Sequence, residues 1–196
     1  KNSCDKSDSF YETFFESDFE GFNLNHKLPK YIIGPNDLKL AQALIKGGTE
    51  HRKFLRQIMV SVDVTAPLYW LKEFDTYKVG TVANSTSTMH KLASTPITKE
   101  CFEMDDFWNP ELENCRVVCS TNDSTALYWE YIIQFCENLR QKYNETKDKR
   151  YWKELVRWLP EGWLQKRTIT LNYEVIYNFC HQRKNHRLAE WHTIVD

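Results

Sequence analysis

The sequence lacks the features that mark a membrane-spanning, secreted or phosphate-loop protein. Within its 196 residues no apolar run approaches the ~20 residues that cross a bilayer, and the start at Lys1 has no signal-peptide pattern. Only six glycines are present, two of them adjacent at Gly47 and Gly48, and none forms a glycine-rich phosphate loop. We therefore expect a cytoplasmic location without membrane contact.

The cysteine pattern is also sparse. Six cysteines are scattered along the chain, two of them inside helical patterns, which is unlike a dense disulfide framework. Cys115 and Cys119 have no second close pair of Cys or His nearby, as a zinc site would require. We predict free thiols and no metal.

Charge is balanced overall but uneven along the chain. The formal net charge is -1, whereas residues 138–196 contain 12 basic and 7 acidic side chains. This end suits an anionic ligand. It lacks the concentrated basic stripe of a duplex-binding protein, so we expect neither DNA nor RNA as a partner.

The composition predicts one domain over residues 1–196. An apolar content of 41%, with 14% aromatic residues, is sufficient for one sizeable core. Residues 1–35 have turn-rich composition and predict an irregular N-terminal wrap. Residues 101–122 predict a surface excursion. Helical and strand patterns mix along the rest of the chain, which indicates an α+β fold.

The first half of the chain contains clear periodic segments. Leu38 to Ile45 has helical spacing that Gly47-Gly48 would end, and Thr49 is a candidate cap for a new helix. Apolar residues alternate from Ile58 to Thr65, as in a strand. Pro67 then ends this strand and opens a helix from Leu68 to Phe74.

The second half begins with a Ser/Thr-rich stretch, residues 79–99, which favours loops and is where we expect a ligand. A long helix should follow from Ser124, and another from Tyr151 to Leu159. Thr168 to Leu171 reads as extended, and Asn172 can cap a helix from Tyr173 to about Gln182. The buried stripe of the long helix is predicted at four-residue steps: Leu127, Tyr131, Phe135, Leu139 and Tyr143.

Short motifs lie in two separated segments, Gly48 to Leu92 and Leu159 to Trp191. The first contains Glu50-His51, Ala66-Pro67, Thr76-Tyr77-Lys78-Val79-Gly80-Thr81 and Asn84-Ser85-Thr86-Ser87-Thr88-Met89-His90. The second contains Leu159-Pro160, Asn172, Asn178-Phe179, Arg183 and Ala189-Glu190-Trp191. Together they resemble the flavin-dependent thymidylate synthases, over a little under half of the chain.

The resemblance implies helices packed on an antiparallel sheet and a reductive methylation of dUMP to dTMP. It also implies FAD, methylene-tetrahydrofolate, NADPH and a homotetramer. The residues that it places at the cofactor are His51, Tyr77, Lys78, Thr81, Asn172 and Asn178. Those that it places at the nucleotide are Asn84, Ser85, Ser87, His90 and Arg183. No protein side chain is predicted to be catalytic, because reduced flavin carries the hydride in this family.

The motifs also depart from the family pattern. Tyr77 and Lys78 stand where the family has His and Arg, and Met89 stands where it has Arg. Losing one charge-assisted contact costs roughly 1.5–3 kcal/mol. The alternatives are therefore a non-catalytic nucleotide-binding or protein-interaction module on the same fold, or an enzyme for another nucleotide with His90 as acid or base.

Two of these residues also have simpler interpretations. His51 can make a local hydrogen bond at a helix start. Arg183 lies in a basic run that is typical of a solvated helix end. Only the resemblance singles them out for binding.

Overall fold

The structure, a computed structural model, describes residues 7–12, 30–104 and 125–195. Its contacts divide the chain into two compact units, Lys1–Gln57 and Ile58–Asp196. Most of the predicted excursion, residues 105–122, lies outside the described residues, as does the predicted cap Ser124.

The first unit contains two short paired strands and one helix. Strand β1 (Phe10–Glu12) runs antiparallel to β2 (Lys30–Ile32). Helix α1 (Pro35–Lys46) begins with proline, whose fixed φ suits the first turn, and ends at Gly47. The predicted helix is confirmed. The expected new start at Thr49 is wrong, because a turn and a short 3₁₀ helix (Lys53–Gln57) follow instead.

The second unit contains a three-stranded antiparallel sheet. Its strands β3 (Met59–Pro67), β4 (Thr81–Ser85) and β5 (Leu164–Asn172) lie in the order β3-β5-β4. Helix α2 (Leu68–Phe74) follows β3 directly, as predicted. The extended segment predicted near Thr168 is the middle of β5, the central strand.

The loop predicted for residues 79–99 is partly wrong. Strand β4 pairs with β5 over its whole length, with Thr81 opposite Leu171 and Ser85 opposite Arg167. A short helix, α3 (Thr88–Lys91), follows it. Pairing with a preformed strand satisfies backbone groups that the Ser/Thr side chains would otherwise compete for, so tertiary context overrides the local preference.

One face of this sheet is covered by helices. We call the buried cluster on that face the sheet core. Its members are Ala66, Trp70, Leu71, Phe74, Ile169, Leu171, Val175, Phe179 and Trp191. The opposite face is polar: Thr168 donates to Asp63, which also pairs with Lys166 at 2.8 Å. Such one-sided burial is typical of antiparallel sheets.

A second buried cluster, the helical core, forms around α4 (Thr125–Thr146) and α5 (Lys149–Trp158). Its members are Leu92, Ile97, Phe102, Ile133, Cys136, Leu155 and Trp163. Both helices were predicted, but the stripe on α4 was only partly right: Leu139 packs against the helical core, and the side chain of Leu127 lies outside the described residues. Tyr131 and Phe135 are exposed, whereas Ile133 and Cys136 are buried. The inward face of α4 is set by its partners, which the sequence pattern alone did not identify.

The chain then forms α6 (Tyr173–Arg183) and α7 (Glu190–Val195). The predicted cap is confirmed, since the Asn172 side chain accepts a hydrogen bond from the backbone N–H of Val175. The described cysteines are free thiols: Cys101, Cys136 and Cys180. None of the helices in the described ranges is long and apolar enough to span a bilayer.

Candidate functional site

Two small grooves lie on either side of the turn that follows α2. The first, of about 290 Å³, is lined by Phe74, Asp75, Tyr77, Lys78, Thr81 and Ala83. The second, of about 310 Å³, is lined by Thr76, Tyr77, Lys78, Val79, Val175, Asn178 and Gln182. They share Tyr77 and Lys78, and we refer to them together as the paired grooves.

Tyr77 is fixed by contacts on both its ring and its hydroxyl. The hydroxyl donates to Gln182 Oε1 at 3.0 Å and accepts from Arg183 Nε at 2.9 Å. The ring packs edge-on against Phe179 and Trp191 of the sheet core. The shared wall of the paired grooves is therefore rigid, because it is anchored in buried aromatic packing.

Arg183 lies beside Tyr77 but is held by internal contacts. Its guanidinium lies over the rings of Tyr77 (5.5 Å) and Trp191 (5.0 Å) and pairs with Glu73 at 3.2 Å. Only 17% of its side chain is exposed. These cation–π and charge contacts engage the Arg183 guanidinium, which the resemblance would place against a uracil carbonyl. Arg183 is thus near the paired grooves without lining either one.

Thr81 lines the first groove and has one unusual polar atom. Its Oγ1 is buried and has no hydrogen-bond partner among the described residues. Leaving a buried hydroxyl without a partner costs about 1–3 kcal/mol.

Asn172 and Gly80 meet closely behind the turn. Gly80 has φ +78°, a left-handed conformation that other residues rarely adopt, and a Cβ on it would lie 2.6 Å from the Asn172 side-chain nitrogen. Asn172 thereby joins the start of α6 to the turn. Its predicted role at a cofactor is untested, and the contacts seen are those of a helix cap. Asn178, one turn later in α6, lines the second groove.

The residues predicted at the nucleotide lie toward the other end of β4. Ser85 is four residues from Thr81, which places it roughly 13 Å away along an extended strand. Asn84, its neighbour, points to the opposite face of the sheet. Ser87, with φ 40°, precedes α3, and His90 is exposed within α3. None of these four residues lines the paired grooves.

His51 belongs to the first unit, where its ring lies next to Gly47. The structure therefore brings together five of the predicted residues at or beside the paired grooves. His51 and the four residues near the end of β4 lie elsewhere. These five are Tyr77, Lys78, Thr81, Asn178 and Arg183. Asn172 lies directly behind them.

The sequence interpretation missed Arg167. This side chain, 15% exposed, donates from Nε to Gln165 and pairs with Asp75 at 2.7 Å. Asp75 in turn lines the first groove. Alternation along β5 places Arg167 on the same face as Ile169 and Leu171. An arginine at a strand position where the pattern expects an apolar residue is the sequence signal that could have indicated it.

The comparisons with known proteins support the fold. No protein-family model and no curated protein sequence matches the chain. Its α+β architecture is similar to that of a solved structure, the flavin-dependent thymidylate synthase ThyX from Helicobacter pylori in complex with FAD and dUMP. The TM-score is 0.56 at 16% sequence identity, covering 83% of this chain and 75% of that chain. The likeness establishes a ThyX-like fold.

The paired grooves do not fit a whole FAD within one chain. Volumes near 300 Å³ are at the lower end of the range for drug-sized ligands, and FAD, a dinucleotide, exceeds that size. A base, a sugar or a phosphate group matches one groove better.

Proposed function

We propose that this chain is a divergent flavin-dependent thymidylate synthase-like protein that binds a pyrimidine nucleotide, dUMP or a close analogue, at the paired grooves. The observation that carries the proposal is the position of Tyr77, Lys78 and Thr81, which the motif resemblance assigns to the cofactor and which line one groove on a ThyX-like fold. FAD, folate, NADPH and a homotetramer are proposed from the resemblance alone.

The residues of the paired grooves suit distinct parts of such a ligand. The Lys78 ammonium supplies a positive charge for a phosphate, although without the paired donors of an arginine. The Asn178 amide can both donate and accept, as a uracil edge requires. Thr81 supplies a hydroxyl that has no partner among the described residues. Tyr77 supplies a fixed wall.

The first experiment compares dUMP with deoxyuridine by calorimetry and thermal shift on the full chain. Binding to the folded state alone should stabilise the protein, by about 2.7 kcal/mol at a concentration of 100 Kd. Removing the phosphate should weaken binding about tenfold or more, since a charge-assisted contact is lost. Lys78→Gln should cause a similar loss for dUMP and none for deoxyuridine.

Lys72→Gln is the matched control. Lys72 lies in α2, pairs with Glu161 at the surface and lines neither groove. It should leave the affinity for dUMP unchanged. If no pyrimidine nucleotide binds, or if both lysine variants behave alike, the proposed site is wrong. Flavin absorbance of the purified protein and tritium release from labelled dUMP then test whether the family's reaction is retained.

A second candidate function is a non-catalytic module on the same fold. The observation that favours it is the internal pairing of Arg183 with Glu73 and Trp191, which leaves that guanidinium committed within the chain. In this case the protein should bind nucleotide without flavin and release no tritium. A protein-interaction module should ignore every nucleotide.

A further inference from the structure

One edge of the three-stranded sheet is the outer side of β3. The strand order β3-β5-β4 leaves β3 paired with β5 on one side only. Its side chains are partly open to solvent: Met59 is 57% exposed and Val62 is 43% exposed. None of the β3 residues lines the paired grooves, so this edge is independent of the nucleotide function proposed for them.

The hydrogen bonds of the sheet show which backbone groups of β3 point outward. Along an antiparallel pair, directly opposite residues alternate between those that exchange hydrogen bonds and those that do not. The Tyr173 N–H donates to the Ile58 carbonyl at 3.0 Å, in the same register that places Met59 opposite Asn172. The even-numbered residues of β3 therefore bond to β5. The N–H and C=O groups that point away from β5 belong to the odd-numbered residues Met59, Ser61, Asp63 and Thr65.

The outward-pointing backbone segment ends at a proline. Pro67 is the next odd-numbered residue, and it has no N–H to donate. Among the described residues, no strand pairs with the outer side of Met59 to Thr65. An unpaired row of N–H and C=O groups is a template for pairing with a further strand.

The two faces of this edge differ in polarity. Val60, Val62 and Val64 lie on the core side, where Val64 packs partly against the sheet core and Val62 is exposed. On the open face, Asp63 pairs with Lys166 at 2.8 Å. A strand that pairs here must therefore present apolar side chains on one face and polar groups that tolerate Asp63 on the other.

The strand β3 of a second copy meets both requirements. We propose that two copies of the chain pair their β3 strands antiparallel about a two-fold axis that passes through Val62. A two-fold interface uses the same surface of both copies, so its strand has to be self-complementary. The pairing joins the two three-stranded sheets into one continuous sheet. The homotetramer that the resemblance implies names no surface, whereas this interface follows from β3 itself.

Backbone pairing and charge together fix the position of the axis. About Val62, Met59 lies opposite Thr65 of the second copy and Ser61 lies opposite Asp63, so every outward N–H and C=O group from Met59 to Thr65 is paired. About Asp63, two carboxylates would lie directly opposite each other, which is unfavourable. About Ser61, Thr65 would lie beyond the end of β3 in the second copy.

The side chains also match in the arrangement about Val62. On the open face, the Ser61 hydroxyl lies beside the Asp63 carboxylate of the second copy and can donate to it. On the core side, Val62 lies opposite Val62, and Val60 lies opposite Val64. Cross-strand pairs of β-branched residues stabilise a sheet. The exposed valine of the single chain is thereby covered.

Disulfide cross-linking of the full chain tests the register. The two Val62 residues form a directly opposite, non-hydrogen-bonded pair with Cβ atoms about 4.5 Å apart, within the reach of a disulfide. Val62→Cys should therefore give a covalent dimer on a non-reducing gel after mild oxidation, unlike the unmodified protein. Ser61→Cys is the register control, since the two Ser61 side chains lie diagonally, about 7–8 Å apart, and should not cross-link. Val82→Cys, on exposed β4, controls for random collision and should not cross-link either.

Sedimentation equilibrium provides the second measurement, and on the unmodified protein it does not depend on the folding of variants. The 23.4 kDa chain should sediment as a dimer or a multiple of a dimer. Val62→Lys places two like charges opposite each other at the axis and should weaken this association at least about tenfold, whereas Val82→Lys should not. A chain that is monomeric at every concentration overturns the proposal. So does an oligomer that Val62→Lys leaves intact, or cross-linking of Ser61→Cys in place of Val62→Cys.

Discussion

The sheet core and the helical core differ in whether their buried polar atoms have hydrogen-bond partners. In the described part of the chain the buried side-chain nitrogen and oxygen atoms without a hydrogen-bond partner are Trp70 Nε1, Thr81 Oγ1 and Trp191 Nε1. All three lie in or beside the sheet core. Around the helical core, by contrast, Trp129 Nε1 donates to Met104 Sδ, and Asn144 donates to the Ala93 carbonyl.

This difference is informative because an unpaired buried polar group costs free energy. Proteins tolerate such costs mainly at functional sites and compensate for them elsewhere. The paired grooves border the sheet core through Phe74. None of the unpaired atoms in the described residues belongs to the helical core.

The largest expected effect tests how far each core stabilises the fold. Trp191→Ala should lower the free energy of unfolding by about 3–5 kcal/mol, because the ring is fully buried and also carries the Arg183 stack. Leu155→Ala, fully buried in the helical core, should cost about 2–5 kcal/mol. Urea denaturation measures both.

Val82→Ala is the control for these substitutions. Val82 is 71% exposed, so this change should stay within about 0.5 kcal/mol. If Trp191→Ala costs no more than Val82→Ala, the sheet core does not stabilise the fold in the way described.

The second prediction concerns an ion pair beside the helical core. Arg140 donates two hydrogen bonds to Glu137, at 2.7 and 2.6 Å, and holds the Glu137 pKa at about 2, below its ordinary value of 4.5. The backbone N–H of Ile97 also donates to this carboxylate. Because the folded-state pKa is lowered, the contribution is complete above about pH 4.5 and is lost as the pH falls toward 2.

Glu137→Gln should therefore destabilise the protein by about 1.5–3 kcal/mol at pH 7, and by progressively less below pH 4.5. Urea midpoints at pH 7, 5 and 3.5 measure this trend. Glu145→Gln, which removes a surface pair with Lys142, should have little effect at any of these pH values. A Glu137→Gln effect that is constant with pH would contradict the assignment.

The smallest expected effect compares a buried hydroxyl without a described partner with a hydroxyl that has one. Removing them should change the free energy of unfolding in opposite directions. Thr81→Val removes a buried hydroxyl without a described partner and should raise the free energy of unfolding by about 1 kcal/mol. Thr168→Val removes a hydroxyl that donates to Asp63 and should lower it by about 0.5–1.5 kcal/mol. Thermal denaturation of the two variants in parallel provides the measurement.

If the Thr81 hydroxyl serves a ligand, Thr81→Val should also weaken dUMP binding while making the free protein more stable. A destabilised Thr81→Val variant would show that the hydroxyl has a structural partner. The sheet core would then resemble the helical core in having its polar groups satisfied.

The sequence predicted those elements whose signals are local. Helix α2 was located because Pro67 fixes its start, and α6 because Asn172 caps it. Strand β4 was missed, since its Ser/Thr-rich segment becomes extended only by pairing with β5. The inward face of α4 was misassigned at Tyr131 and Phe135, because apolar residues occur on more than one face of that helix and only the packing partners select between them.

For the site, motif resemblance selected Tyr77, Lys78, Thr81 and Asn178 correctly as neighbours, although their roles are still predictions. It did not show that Arg183 turns inward onto Trp191, nor that Arg167 pairs with Asp75. Those contacts join residues distant in sequence. No local pattern encodes them.

Composition, periodicity and caps by themselves determined the α+β class, most of the helix positions and a short set of residues to inspect. The tertiary structure alone decided which polar groups lack partners, where the grooves open and that β3 lies at an edge of the sheet. The physical reason is that propensity and capping act over a few neighbouring residues. Burial, pairing and charge depend on segments that meet only in the folded chain.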